Sequence, residues 1–137
     1  MLETTGADIA FLLSRALFGG ILAFMGLNHF LSREEMVGYA SFKGLPAPTA
    51  AVLFSGGLLV FGGLSVAAGV LPTVGAGGLT VFLLVSAVTM HDFWNADGEE
   101  SQTEMTQFLK NVCLSAGALL FLALSGASWP LAVDIGL

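Results

Sequence analysis

The chain has 137 residues, 55% of them hydrophobic and 10% charged, with four Lys and Arg against ten Asp and Glu and a formal net charge of −6. Soluble domains carry roughly 25% charged residues, so this composition excludes a water-soluble domain and a disordered chain. Four basic residues exclude a nucleic-acid binder, and one cysteine excludes a disulfide-stapled fold, which leaves an integral membrane protein.

A membrane helix needs about 20 mostly apolar residues. Four runs qualify: Ile9–Phe30, Thr49–Leu71, Val74–Phe93 and Phe108–Ala127. The first is preceded by Glu3 and Asp8 rather than by basic residues and has no convincing cleavage site after it, so it is expected to be a retained helix rather than a signal peptide. The expected fold is an all-α, four-helix transmembrane bundle forming a single domain over residues 1–137. Both termini then share one membrane side (side A), and the two longer connections share the other (side B).

In the first side-B connection, Ser32-Arg33-Glu34-Glu35 has the capping-box pattern, which predicts a short interfacial helix over Arg33–Phe42, stopped by Gly44. Pro48 then suits a first helical turn. The tight Leu71-Pro72-Thr73 turn makes spans two and three an antiparallel hairpin on side A. In the second side-B connection, Ser101-Gln102-Thr103-Glu104 repeats the capping box and predicts the start of the fourth helix. Arg33, Lys43 and Lys110 belong to side B and only Arg15 to side A, which favours a multi-pass cell-membrane protein with side B cytoplasmic and both termini outside. Trp94 and Trp129 fit an aromatic belt.

Gly19 and Gly26 lie seven residues apart, as do Gly56 and Gly63, and Gly62 and Gly69. Residues at that spacing share a helix face, and small residues let helices approach closely in lipid, so these glycines predict packing seams. Cys113 is expected to be an inert packing thiol.

Polar residues inside a membrane are costly and therefore informative. Arg15, Gly19, Leu22, Gly26 and His29 form one stripe on the first helix, with Arg15 and His29 about 21 Å apart. Arg15 is expected to turn inward, toward a carbonyl, a partner or an anion. Gln107, Asn111, Ser115 and Ala118 form a small, polar stripe on the fourth helix. At side B, His29 and Asn28 end the first span, His91, Asp92 and Asn95 end the third, and Gln107, Lys110 and Asn111 open the fourth. Tyr39 and Lys43 lie in the connection that can fold over them. The ligand-site candidates are thus His29, His91, Asp92, Asn95, Lys110, Asn111 and Arg15. The competing reading is structural: an Asp92–Lys110 ion pair, interfacial anchors and snorkelling. Histidine can exchange protons near neutral pH or hydrogen-bond a quinone carbonyl. Two histidines could also bracket a haem, or join Asp92 on zinc, but no metal is assigned.

Four stretches, in order, resemble the DoxX-type membrane proteins. Arg15-Ala16-Leu17-Phe18-Gly19 with Gly26-Leu27-Asn28-His29-Phe30 is similar to the family's first helix, where a basic residue commonly stands at the place of His29. Residues Tyr39 to Pro48 resemble its loop, His91-Asp92-Phe93-Trp94-Asn95 the end of its third helix, and Phe108-Leu109-Lys110-Asn111-Val112 the start of its fourth. The resemblance implies a four-helix membrane protein, some of whose relatives are linked to quinol oxidation in archaea and to thiosulfate–quinone chemistry. The expected function is a small subunit of a quinone-linked redox system, with a redox partner subunit, a homo-oligomeric state and quinone as the ligand. The alternatives are an oligomeric permeation module and a scaffold without a site.

Asp97, Glu99, Glu100 and Glu104 form one acidic run, while Glu3, Asp8 and Asp134 lie near the termini. The negative charge is expected to belong to a water-exposed fringe rather than to a site. Such a fringe suits high salt, where screening weakens self-repulsion, and predicts a halophilic archaeal source.

Overall fold

The computed structural model describes residues 4–136. They form α1 (Thr5–Leu31), α2 (Arg33–Phe42), α3 (Pro48–Ala68), α4 (Pro72–Met90) and α5 (Gly98–Leu124), with one 3-10 turn at Phe93–Asn95. The four long helices are apolar enough to cross a membrane. Leu17, Phe24, Phe54, Val81 and Leu120 lie exposed on the outside, as lipid-facing residues should. A compact seam of Leu22, Leu59, Val66, Leu79, Leu83 and Phe121 fills the inside.

Local chemistry sets the ends of the elements. The Thr4 hydroxyl accepts from the Ala7 N–H at 3.2 Å and caps α1. Gly44, at φ 76°, closes α2, and the Leu45 N–H reaches back to the Ala40 carbonyl at 3.0 Å. Gly69, at φ 70°, closes α3 in the same way, which ends that helix earlier than its apolar run. The Ser65 hydroxyl donates to the carbonyls of Val70 and Leu71 and so pins the α3–α4 turn. Pro48 and Pro72 start α3 and α4, where a missing N–H costs nothing.

Two sequence expectations fail at the caps. The short helix over Arg33–Phe42 forms, but its capping box does not. Ser32, at φ −108° and ψ 37°, lies outside the extended conformation that aims an N-cap oxygen, and its hydroxyl turns to Asn28 Oδ1 at 3.5 Å. At the second box the helix already begins at Gly98. Ser101 therefore sits inside α5 and donates to the Phe93 carbonyl at 3.0 Å.

The long helices pack in the order α1, α3, α4, α5. Glycines make the α1–α3 seam. A Cβ on Gly19 would lie 2.2 Å from the Gly63 carbonyl oxygen, and one on Gly26 would lie 2.7 Å from that of Gly56. The seven-residue spacings thus meet each other across two antiparallel helices, at two crossing points about 10 Å apart. On the other side of α3, a Cβ on Gly75 of α4 would strike Ser65. Phe18 of α1 fits against Gly117 of α5 and tilts over Phe121 at 5.2 Å between ring centres.

After α5 the chain folds back as a strap over the side-A end. Trp129 is 4% exposed, stands edge-on to Phe11 and donates its indole N–H to the Leu124 carbonyl at 2.9 Å. It is thus a core residue rather than part of an aromatic belt; Trp94 is exposed. The Val133 N–H donates to Ala68 O at 2.9 Å and the Leu71 N–H to Ile135 O at 2.6 Å, which ties the strap to the α3–α4 turn.

Candidate functional site

The chemistry-bearing side chains of side B meet where the C-terminal end of α2, which packs on α3 and α1, reaches the ends of α4 and α5. The chain leaves α4 at Met90, makes the 3-10 turn and re-enters helix at Gly98. The ring of Phe93 packs edge-on against Trp94 and Phe108, and Ser101 holds the Phe93 carbonyl. This short turn therefore has few ways to move, and it carries His91, Asp92 and Asn95.

Glu104 of α5 stands at the centre. Its Oε1 accepts from the Tyr39 hydroxyl at 3.0 Å, and its Oε2 lies 2.9 Å from His91 Nδ1 and 3.7 Å from Lys43 Nζ. Lys43 donates to Asp92 Oδ1 at 2.8 Å, and Asn95 donates to Asp92 Oδ2 at 3.0 Å. The Tyr39 hydroxyl also lies 3.1 Å from the Met90 carbonyl oxygen. Residues from α2, the α4–α5 connection and α5 thus form one continuous network. Lys43, Asp92 and Glu104 sum to one negative charge, and one proton on the His91–Glu104 pair neutralises it.

The network shifts the groups that α2 and its exit contribute. Burial pushes the Tyr39 phenol up, and its hydrogen bond to the Glu104 carboxylate pushes it further. Burial works against the Lys43 ammonium, but the Asp92 hydrogen bond, with Tyr39 and Glu104, outweighs it, so its pKa is raised above 10.5. The lysine thus stays charged and the tyrosine stays protonated at neutral pH.

Tyr39 has a second environment. With Asn28, Ser32, Glu35 and Met36 it lines an open cleft of about 200 Å³ between the end of α1 and α2. The cleft is smaller than the roughly 300–1,000 Å³ of sites for drug-sized ligands.

Of the residues singled out from the sequence, His91, Asp92 and Asn95 belong to the network. His29 does not: its Nδ1 lies 2.9 Å from the Met25 carbonyl oxygen of its own helix. Lys110 is exposed and bonds Gln107, its neighbour one turn back, so the cation facing Asp92 is Lys43. Asn111 is buried and donates to Ser86 at 3.3 Å, and Ser115 donates to the Thr80 carbonyl at 3.3 Å. The α5 stripe therefore joins two helices. Arg15 lies at the opposite, side-A end, with its guanidinium on the strap carbonyls of Pro130 and Leu131. Among the described residues, no three His, Cys, Asp or Glu side chains converge as metal ligands do. Cys113 is exposed on α5 rather than packed.

Glu104 corrects the reading of the acidic run. Asp97, Glu99 and Glu100 are exposed, whereas Glu104 is 8% exposed and holds three partners. The usable signal was helical phase: Glu104 lies seven residues before Asn111 and extends the Asn111–Ser115–Ala118 stripe by two turns.

Comparison with known proteins bears on this layout. The DoxX family model matches residues 10–92, a stretch that runs from α1 through Asp92 and leaves Glu104 outside it. Neither the curated proteins nor the solved structures gave a match.

Proposed function

Taking as premise that the chain belongs to the DoxX family of membrane proteins, we propose that it is a small subunit of a quinone-linked membrane redox system, with the quinone headgroup received at side B. The observation that carries the reading is the double position of Tyr39, whose side chain lines the cleft while its hydroxyl bonds Glu104. A quinone taking two electrons also takes two protons. Tyr39 delivers one proton to a headgroup oxygen in the cleft and regains one from the Glu104–His91 pair, which exchanges with water at the membrane face, while the other headgroup oxygen takes its proton from water admitted by the open cleft. Asn28 and Ser32 offer hydrogen bonds to the headgroup from the same cleft. Lys43 and Asp92 hold α2 over the bundle and keep the carboxylate of Glu104 in place. The electrons come from a partner subunit in the same membrane.

A permeation path would use the α5 stripe, but Asn111 and Ser115 spend their polar groups on α4. The test is thermal unfolding in detergent with a short-chain quinone. We expect the wild-type Tm to rise with quinone concentration, since a ligand that binds only the folded state stabilises it. In His91→Ala the rise should shrink, and membranes carrying that variant should reduce quinone more slowly. An unshifted wild-type Tm, or quinone reduction unaffected by His91→Ala, refutes the reading.

A further inference from the structure

The side-A end holds a charge that the quinone reading does not use. Arg15 is 0% exposed. Its Nη2 lies 3.0 Å from the Pro130 carbonyl oxygen and 2.6 Å from that of Leu131, while Nε and Nη1 have no hydrogen-bond partner among the described residues. The rings of Phe11 and Trp129 flank it, each with its centre 5.8 Å away. Among the described residues no carboxylate pairs with it; the ion pairs all lie at side B. Arginine keeps its proton under all ordinary conditions. A buried guanidinium with only neutral acceptors and two idle nitrogens is therefore both uncompensated and under-bonded.

Depth says which anion fits. α3 has 21 residues and so spans about 31 Å, close to the hydrocarbon thickness of about 30 Å. Gly69, which caps α3, then stands at the edge of the hydrocarbon, next to the lipid headgroups, and a Cβ added there would lie 3.1 Å from Arg15 Nη1. The guanidinium thus lies beside the turn that ends α3, within side-chain reach of the headgroup region. What covers it is the strap, where Leu131 and Asp134 both adopt φ 56° without being glycine. Such a conformation is strained; the strap is held by the packing of Trp129, by the Thr73–Ser125 hydrogen bond and by two backbone hydrogen bonds at the α3–α4 turn.

We propose that Arg15 is a binding site for a phosphate oxyanion at side A, which the strap occludes with its own carbonyls until the anion replaces them. The exchange trades neutral acceptors for a charged one, uses the idle nitrogens and releases the strained residues. Trp129 leaves its packed position as the strap lifts, which gives the site an optical reporter.

The experiment uses the full chain with Trp94→Phe, so that Trp129 is the sole tryptophan. One arm places it in nanodiscs of phosphatidylcholine with rising phosphatidylglycerol; the other titrates inorganic phosphate in a neutral detergent. A saturable red shift of Trp129 emission in both arms identifies a site for free and lipid phosphate alike, and a shift in the nanodisc arm alone identifies a headgroup site. Arg15→Gln should abolish either response. Native mass spectrometry of the wild-type chain serves if that variant does not fold, and about one retained anionic phospholipid per chain is expected. Emission that is flat in both arms, a shift that survives Arg15→Gln, or retained lipid that mirrors the bulk mixture overturns the proposal.

Discussion

Replacing Gly19 by Ala should destabilise the bundle by about 3 kcal/mol or more, the upper end of what overpacking costs. The added Cβ would lie 2.2 Å from the Gly63 carbonyl oxygen and 2.8 Å from the Ala67 nitrogen. Both are backbone atoms, so no rotamer change relieves the clash, and the helices must separate. In lipid that separation is not offset by the hydrophobic effect, because the freed surface meets acyl chains as apolar as itself. Gly63→Ala should act alike, since its Cβ would lie 2.4 Å from the Gly19 carbonyl oxygen. Gly20→Ala is the control. Nothing lies within 4 Å of a Cβ there, so it should be neutral or slightly stabilising, because alanine is the better helix former. Unfolding of the three variants in mixed micelles measures this, and equal stabilities would refute the two-point seam.

The second large effect is expected at Glu104. Changing it to Ala removes the shared acceptor of Tyr39 and His91 and one of the two carboxylates facing Lys43. Hydrogen bonds involving a buried charge are each worth about 1.5–3 kcal/mol, and their former partners are left unsatisfied, so a loss of about 3 kcal/mol is expected. The loss should be local. α2 should lose protection against hydrogen exchange over Arg33–Phe42 while the membrane-spanning helices keep theirs. Glu104→Gln, which retains an acceptor for Tyr39 but not the charge facing Lys43, should fall between. Unchanged α2 protection in Glu104→Ala would mean that the network does not hold α2.

These two sites show how far the sequence could be read. The seam at Gly19 and Gly63 was legible as spacing, because two small residues seven apart must share a face. Which glycine meets which required the antiparallel pairing of α1 and α3. The interfacial helix was legible from its flanking Ser32 and Gly44, although the Ser32 hydroxyl bonds Asn28 instead of capping. Glu104 was obscured by its neighbours, because Glu99 and Glu100 are ordinary exposed carboxylates and Ser101–Glu104 imitates a helix start. Helical phase with Asn111 puts Glu104 on the buried stripe, while the start of α5 at Gly98 removes the helix-end role that the capping-box pattern offered it.

His29 and Lys110 teach the complementary lesson. Both lie at the correct membrane level, yet depth alone does not bring side chains together. His29 satisfies a ring nitrogen on its own helix, and Lys110 reaches Gln107 one turn back. Such local partners cost little ordering entropy, whereas Lys43 reaches Asp92 only because α2 folds across the bundle. The network is therefore a tertiary product of that helix, and the cleft beside Tyr39 forms with it.

A cleft and network that receive a quinone headgroup should keep quinone on the chain through purification from membranes in mild detergent. About one quinone per wild-type chain is expected by mass spectrometry, with most of it lost in Tyr39→Phe and in Glu104→Gln. A wild-type chain that retains none, or variants that retain as much as the wild type, would contradict it.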